Sequence, residues 1–388
     1  MPLSFIVWDP NPDLFTWGGL IVRWYGLLFA SGFLIGQQIM FYIFRKEGKS
    51  EKYVEMLTIY MMLGTIIGAR LGHVVFYEPG VYFANPIKIL KIWEGGLASH
   101  GATVGILLAL FLYVNYDIRL TFSWNFPFVK FKAKKEKKEG QSYLWILDRM
   151  VILVALTGCL IRFGNFMNSE IEGIPTRSDY GVIFARAAEK AILDSNPAIS
   201  SVEATKNSSE KPDLEGNPAI SLHINFKNEN YPEQGIISFL ETQVKGILTR
   251  YGNVTHHIKE PTQDRLNYRL QKTPRGYEAE IITHGIVRHP AQLYESVSSL
   301  LLFVLVFYLW YRKKEKLKEG QLFAIFLIIL FGLRFFYEFI KENQVTFENN
   351  LVLNMGQLLS IPLIIIGVLI LLRINKNKEL ENGQGMGS

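Results

Sequence analysis

The sequence is poor in cysteine, and Cys159 is the only one among its 388 residues. A single thiol excludes an internal disulfide and gives no information about the redox compartment. Cys159 lies within an apolar run, where a buried and unreactive thiol is the default interpretation.

Several catalytic and targeting signatures are also missing. No Gly-x-Ser-x-Gly motif occurs, which argues against an intramembrane serine protease. The adjacent pair His256 and His257 has no further ligands at a usable spacing, so no metal site is predicted. Residues 1–19 contain no Lys or Arg and no convincing small-residue cleavage site. The first apolar run is therefore interpreted as a retained span rather than a signal peptide.

The chain is instead rich in long apolar runs, with 49% hydrophobic residues and a mean hydropathy of +0.15. A helix needs about 20 apolar residues to cross a bilayer, and several runs reach that length. The sequence therefore predicts an all-α polytopic membrane protein with seven transmembrane helices. The predicted spans cover residues 20–44, 53–77, 97–116, 143–163, 289–311, 321–340 and 354–373.

Basic residues cluster next to these runs and set the predicted orientation. Lys and Arg are concentrated after spans one, three, five and seven, which places those ends in the cytoplasm by the positive-inside rule. The N-terminus then lies outside and the C-terminus in the cytoplasm. Because the formal charge of +6 comes from residues beside apolar runs, we expect contacts with anionic headgroups and no nucleic-acid partner.

Composition divides the chain into four segments. Residues 1–173 hold spans one to four, and residues 284–374 hold spans five to seven. Between them, residues 174–283 are polar and contain short alternating stretches, which predicts a mainly β and loop domain inserted on the periplasmic side. Residues 375–388 are predicted to form a flexible cytoplasmic tail.

Polar side chains recur near the predicted outer ends of six spans. They are Tyr25, Arg70, His73, His100, Arg162, Asn165, Arg288, His289, Gln292, Tyr294, Arg334 and Glu338. Polar residues at membrane depth normally face the bundle interior or a water-filled cavity. We therefore expect a polar chamber, lined by arginines, that opens to the outer leaflet.

Each of these residues also has a simpler interpretation. Arg162 could extend its side chain to the membrane interface, but Asn165, Asn168 and Glu170 close behind it favour a site for a lipid headgroup. Tyr25 alone is more typical of an interfacial aromatic residue. His289 could be a feature of a helix N-terminus, and Arg334 with Glu338 could be a structural ion pair.

Five stretches together resemble the prolipoprotein diacylglyceryl transferase family. They are Arg23–Leu27 (RWYGL), Gly95–Gly101 (GGLASHG), Arg162–Glu170 (RFGNFMNSE), Arg288–Glu295 (RHPAQLYE) and Met355–Ser360 (MGQLLS). They occur in the family's order from the first span to the last. The block from Arg162 to Glu170 is the most specific of them.

This resemblance implies a multi-pass enzyme of the bacterial plasma (inner) membrane with its active site toward the outer leaflet. Such an enzyme transfers diacylglyceryl from phosphatidylglycerol to the lipobox cysteine of a preprolipoprotein signal peptide and releases glycerol 1-phosphate. Its partners are phosphatidylglycerol, the signal peptide and membrane lipids. No cofactor is implied.

The resemblance also implies roles for individual residues. His100, Tyr25, Arg162 and Arg334 would be catalytic. The residues that would bind the phosphatidylglycerol headgroup are Arg162, Asn165, Glu170, Gly173, Glu338, Arg288 and His289.

Two other functions remain open from the residues alone. A lipid-headgroup transporter or scramblase would use arginines to guide an anion through the bilayer, but the polar residues thin out in the inner half of the spans. A non-catalytic receptor could bind a partner through residues 174–283.

Overall fold

The computed structural model describes residues 5–18, 20–92, 95–122, 129–178, 180–227, 232–274, 276–342 and 352–384. Contacts within the chain divide it into two compact units. The first unit comprises Met1–Phe29, Cys159–Ser298 and Leu333–Leu359. The second unit comprises Ala30–Gly158, Ser299–Gly332 and Ser360–Ser388.

Helices dominate the described residues. In chain order they are α1 (Trp24–Lys46), α2 (Lys52–Phe76), α3 (Pro79–Ala84), α4 (Ser99–Asn115), α5 (Tyr143–Met167), α6 (Arg186–Ser195), α7 (Glu233–Phe239), α8 (Lys245–Arg250), α9 (Gly252–Thr255), α10 (Ala291–Lys313), α11 (Gln321–Tyr337) and α12 (Met355–Gln384). Short 3-10 segments occupy Pro86–Leu90 and Lys314–Lys316, and a π-helical turn at Leu240–Val244 joins α7 to α8.

Strands lie between and before the long helices. In chain order they are β1 (Ile6–Trp8), β2 (Asp13–Trp17), β3 (Leu20–Arg23), β4 (Tyr116–Phe122), β5 (Val129–Lys135), β6 (Val182–Phe184), β7 (Ile199–Lys206), β8 (Ala219–Phe226), β9 (Ile258–Lys259), β10 (Tyr268–Thr273) and β11 (Gly276–Gly285).

All seven predicted spans fall on helices. Five of these helices, α1, α2, α5, α10 and α12, are long and apolar enough to cross a membrane. The other two, α4 and α11, are apolar but contain 17 residues each, or about 25 Å of helix. That length is shorter than a hydrocarbon core of about 30 Å. The described residues therefore hold five candidate membrane spans and two shorter apolar helices.

The predicted start of the first span was four residues too early. Residues 20–23 form strand β3, which pairs antiparallel with β2. Helix α1 begins only at Trp24, whose N–H donates to the carbonyl of Pro12 at 3.0 Å. An apolar run alone does not distinguish a strand from a helix end, and here pairing with the preceding segment decides the structure.

The prediction of a mainly β and loop domain at 174–283 was also incomplete, because helices α6 to α9 accompany the strands. The central strand β8 alternates, with Ile220, Leu222 and Ile224 fully buried and polar residues between them. A sheet with one apolar face needs a covering layer. Ile192 of α6 and Ile236 of α7 belong to the same buried cluster and provide that layer.

The sheet of this segment is antiparallel. Its strand order is β10-β11-β8-β7, and β9 pairs with the end of β11. A separate parallel pair joins β1 near the N-terminus to β6. At the other end of the chain, α12 continues to Gln384, so a helix occupies most of the predicted tail, and residues 385–388 lie outside the described ranges.

Glycines allow α2 and α4 of the second unit to touch along their backbones. A Cβ atom added at Gly68 would lie 2.5 Å from the carbonyl oxygen of Gly101. One added at Gly72 would lie 2.7 Å from the Cα atom of Gly101. Gly64 faces Gly105 in the same way. Small residues four apart are the usual means by which apolar helices approach this closely.

A buried polar cluster ties four helices of the second unit together. Glu47 accepts hydrogen bonds from Arg149 Nη2 at 2.9 Å and from Trp310 Nε1 at 2.6 Å. Asp148 accepts the backbone N–H groups of Gly320 and Phe323, at 2.7 and 2.8 Å, at the start of α11. Each carboxylate is satisfied, as buried charges require.

Candidate active site

Arg162, the arginine of the most specific motif, lies near the end of α5 and pairs with a glutamate of α10. Its Nε atom is 2.8 Å from Oε2 of Glu295, and the side chains are 23% and 9% exposed. The other oxygen of the carboxylate, Oε1 of Glu295, lies 2.6 Å from Nζ of Lys341. One buried carboxylate therefore bridges two cations.

Lys341 continues this series of ion pairs. Its side chain is only 5% exposed, and Nζ also lies 3.4 Å from Oε1 of Glu338. The same Oε1 atom is 3.7 Å from Nε of Arg334, whose side chain is 39% exposed. Asn354 donates from Nδ2 to the other oxygen of Glu338 at 3.2 Å.

We call Arg162, Glu295, Lys341, Glu338 and Arg334 the charge chain. It contains three cations and two anions, so it carries one excess positive charge. The side chains of its three inner members are 5–12% exposed, whereas the two terminal arginines are the most exposed of the five. The guanidiniums at the two ends are therefore the part of the chain that an anionic ligand can reach, and arginine suits carboxylate or phosphate oxygens by its planar set of donors.

A turn after α5 organises the asparagines of the same motif. We call residues 168–173 the signature turn. Its Glu170 accepts hydrogen bonds from Nδ2 of Asn165 at 2.8 Å and of Asn168 at 3.2 Å. Gln292 donates from Nε2 to the carbonyl of Glu170 at 2.7 Å.

The signature turn has a strained backbone. Ser169 and Ile171 adopt positive φ angles of 52° and 60°. A β-branched residue in this region is a conformational outlier, and each such residue costs on the order of 1–3 kcal/mol unless its surroundings compensate. The contacts of the turn with other segments must supply that free energy.

Gly173 ends the turn at a point where no side chain fits. Its N–H donates to the carbonyl of His289 at 2.9 Å. A Cβ atom at Gly173 would lie 2.6 Å from the carbonyl oxygen of Ile340 and 2.7 Å from Cβ of His289. The glycine is therefore required for packing, and any contact that it makes with a ligand can involve only its backbone.

Arg288 is placed inside the fold. It is 3% exposed. Its Nε and Nη2 atoms donate to the carbonyl of His256 at 3.0 and 2.8 Å, and Nη1 donates to that of Gly173 at 3.0 Å. Nη1 also lies 2.9 Å from Oε1 of Glu342. These contacts give Arg288 a structural place beside the signature turn rather than an open guanidinium.

His289 and Tyr25 lie at the edges of this region. Nδ1 of His289 is 3.3 Å from the hydroxyl of Tyr294. Tyr25, on the first turn of α1, packs against α5 at Gly164. A Cβ atom added at Gly164 would lie only 3.0 Å from Cδ2 of Tyr25. Both residues are half-buried.

His100 belongs to the second unit. It is exposed on the first turn of α4, directly before the glycine that touches α2. Its ring lies 5.1 Å from that of Phe76 and 5.8 Å from that of Tyr77, measured between centroids. The helix start and the aromatic pair therefore fix where the imidazole sits.

Sequence reasoning missed four ionisable residues of this region. Glu295 is the last residue of a motif that had been identified, and its position inside an apolar helix was the available signal. Lys341 lies three residues after Glu338, but its other partner, Glu295, is distant in sequence. Glu172 lies beside Gly173, and its partner His257 is also distant in sequence. His257 was considered only as a metal ligand. Within the described ranges, no three His, Cys, Asp or Glu side chains gather to hold a metal ion.

Glu172 and His257 form a buried pair beside the signature turn. Nε2 of His257 lies 3.2 Å from Oε1 of Glu172, with side-chain exposures of 10% and 14%. Burial raises the pKa of Glu172 to about 7, against a lowering by Arg288 and with a further rise from Glu342. Burial, followed by Arg288 and His256, lowers the pKa of His257 to about 4. The pair is therefore neutral overall and holds one proton at mildly acidic pH.

This pair predicts a specific pH dependence of stability. The pKa of Glu172 is 4.5 in the unfolded chain and about 7 in the folded protein. Its contribution to the stability of the fold therefore falls as the pH rises through that window. The pKa of His257 is 6.5 in the unfolded chain and about 4 in the folded protein. Its contribution to the stability of the fold therefore rises with pH through that window. Between pH 4.5 and 6.5 the two slopes cancel, because folded and unfolded pairs each hold one proton.

Single substitutions should expose each slope. In Glu172→Gln, where His257 is the member of the pair that still titrates, stability should rise by about 3 kcal/mol between pH 4 and 6.5. In His257→Phe it should fall by a similar amount between pH 4.5 and 7. Thermal unfolding in detergent at fixed ionic strength measures both differences. Stability curves that run parallel to the wild-type curve would contradict the assignment.

Comparisons with known proteins agree with these motifs. The family model for prolipoprotein diacylglyceryl transferase matches residues 12–373. A phosphatidylglycerol–prolipoprotein diacylglyceryl transferase from Tolumonas auensis is 32% identical over 96% of this chain and 99% of its own length. A protein of the same name from Chloroherpeton thalassium is 32% identical over 97% of this chain and 97% of its own length. Another from Porphyromonas gingivalis is 32% identical over 96% of this chain and 96% of its own length. The chain therefore belongs to the prolipoprotein diacylglyceryl transferase family.

Proposed function

We propose that this protein transfers the diacylglyceryl group of phosphatidylglycerol to the lipobox cysteine of a preprolipoprotein, the first step of bacterial lipoprotein maturation. The names of its relatives support this reaction. The observation that carries it is the charge chain, which presents two partly exposed arginines, Arg162 and Arg334, from a buried network with excess positive charge. Such an arrangement is suited to a phosphate that gains negative charge.

The chemistry proceeds by displacement at the glyceryl carbon. The thiol of the lipobox cysteine loses its proton to a base, because the thiolate is the nucleophile. Its sulfur forms a bond to the glyceryl carbon while the bond from that carbon to the phosphate oxygen breaks. Glycerol 1-phosphate departs with the electron pair. Arg162 and Arg334 stabilise the departing phosphate with charge-assisted hydrogen bonds.

The remaining residues bind or orient the headgroup. Asn165, held by Glu170, contacts its polar groups, and Glu338 orients Arg334. Tyr25 lies against the backbone at Gly164 and closes the headgroup site beside Arg162. The site is supported by Gly173, Arg288 and His289. The N–H of Gly173 donates to the carbonyl of His289, and Arg288 donates to the carbonyl of Gly173.

His100 is the proposed base. If it accepts the thiol proton, the pH–rate profile should have an acidic limb on which the rate falls, since only the neutral imidazole can accept a proton. In His100→Gln, that limb should disappear and the rate should fall by about 10²-fold or more. Transfer rates from pH 5 to 9 measure both effects. An unchanged profile in this variant would exclude His100 as the base.

The proposed topology has seven membrane spans in the bacterial inner membrane. The N-terminus and residues 174–283 lie outside, the C-terminus lies in the cytoplasm, and the active site opens toward the outer leaflet. The clusters of Lys and Arg after alternate spans support this orientation. Helices α4 and α11 span with their polar neighbours extending toward the interfaces, as short apolar helices do.

One assay tests the function directly. Purified protein is mixed with phosphatidylglycerol in detergent micelles and a peptide that carries a lipobox cysteine. We expect glycerol phosphate and a thioether-linked peptide in equal amounts, and neither product with a Cys→Ser peptide. Absence of both products, together with movement of phosphatidylglycerol across liposomes that contain the protein, would favour a scramblase instead.

A further inference from the structure

The signature turn is contacted by residues from the segment between α5 and α10. Nε2 of His257 reaches Glu172, as described above. Nη1 of Arg186, on α6, donates to the carbonyl of Asn168 at 3.3 Å. These contacts meet the turn at both of its ends. The segment that carries the four-stranded sheet is therefore attached to the turn that holds Asn165.

The surroundings of Glu172 are charged and enclosed. Arg288 donates to the carbonyl of Gly173, the residue after Glu172, and to the carbonyl of His256, the residue before His257. Glu342 pairs with Arg288 at 2.9 Å and lies 3.6 Å from Nδ1 of His256. Next to the pair, the ring of Phe184 packs edge-on against that of His257 at 6.3 Å. The groups that face Glu172 and His257 are therefore Arg288, Glu342 and His256.

The backbone of the turn needs such support. Two of its residues hold unfavourable positive φ angles, and a strained turn persists only where its surroundings determine it. If contacts on one side were lost, the turn would relax in a fraction of the molecules. Glu170 would then no longer accept hydrogen bonds from Asn165 and Asn168 in that fraction.

We propose that His257 and Glu172 are positioning residues for the transferase reaction. They connect the sheet-bearing segment to the signature turn and hold Asn165 in the geometry that binds the headgroup. This inference rests on the proposed function. It assigns to the segment at 174–283 a part in substrate binding that its sequence does not indicate.

The consequence is a change in affinity for one substrate only. When only a fraction of the molecules holds the turn in its binding-competent form, the apparent affinity equals the intrinsic affinity multiplied by that fraction. Loss of a buried polar contact at 3.2 Å, such as that between His257 and Glu172, corresponds to about a tenfold change. We expect His257→Phe, which keeps a ring against Phe184 but removes the polar nitrogen, to raise KM for phosphatidylglycerol about tenfold. The KM for the lipobox peptide and kcat at saturating lipid should stay the same.

A conservative variant and a structural control separate positioning from folding. His257→Gln keeps a donor and acceptor near the position of Nε2 and should restore a KM close to that of wild type. Lys245→Met removes an ion pair in which Nζ of Lys245 lies 2.7 Å from Oε1 of Glu260. This pair belongs to the same segment but lies away from the turn. It should lower the thermal midpoint and leave KM for phosphatidylglycerol unchanged.

The outcomes are distinguishable. An inactive wild-type protein would overturn the proposed function itself. An active wild type with unchanged lipid KM in His257→Phe would overturn only the positioning role. The same holds if His257→Phe lowers kcat alone, in proportion to the folded fraction, or if His257→Gln behaves like His257→Phe.

Discussion

Replacing Arg162 by alanine should reduce the rate of glycerol phosphate release by about 10³-fold or more. Removal of a single donor to a developing anion typically costs about 10²–10³-fold, and Arg162 carries a full charge in addition. The guanidinium is one of the two accessible ends of the charge chain. Single-turnover rates at saturating phosphatidylglycerol and peptide, normalised to folded protein, measure the loss.

Two further variants test whether this loss is chemical or structural. Arg162→Lys keeps the charge but not the planar pair of donors, so we expect only partial activity. Arg162→Ala combined with Glu295→Gln also removes the carboxylate charge that had faced Arg162. If Arg162 binds the headgroup, this double variant stays inactive. Recovery of the rate in the double variant would show that the single substitution acted only through the charge left on Glu295.

Replacing Lys341 by methionine should have the second-largest effect. Its ammonium lies between the buried carboxylate of Glu295, at 2.6 Å, and the largely buried carboxylate of Glu338, at 3.4 Å. Removing one member of a buried ion pair costs about 3–5 kcal/mol, because the remaining charge has no partner. We expect a loss of stability of that order. Because each carboxylate also orients an arginine, we expect a fall in rate of about 10²-fold.

The matched control for this position is arginine. Lys341→Arg keeps a cation between the carboxylates and should recover most of the stability. Thermal unfolding in detergent and the transfer assay measure the two properties on the same samples. A methionine variant with wild-type stability would show that the two carboxylates do not need the central cation.

Much of the helical framework could be predicted from the sequence, because the apolar runs are long and bounded by basic residues. The seven predicted spans fall on helices, and the motif residues Arg162 and Arg334 lie at two ends of one network. The strands were harder to predict. Residues 20–23 form a strand because they pair with residues 13–17, and a run of hydrophobic residues does not reveal its partner.

The pairing within the site could not be predicted for a related reason. Lys341 and Glu295 are 46 positions apart in the chain, and nothing in either local sequence indicates that they meet. The prediction matched Arg334 with Glu338 because these residues are one helical turn apart. Contacts of this local kind are visible in a sequence, whereas those between distant segments depend on the packing of whole elements.

The glycine contact between α2 and α4 has a consequence for how large substrates reach the protein. Along this seam the two helices meet through main-chain atoms, with Gly64, Gly68 and Gly72 facing Gly101 and Gly105. No side chain there can rotate aside to create an opening. A lipid that enters between helices of the second unit must therefore use a different gap.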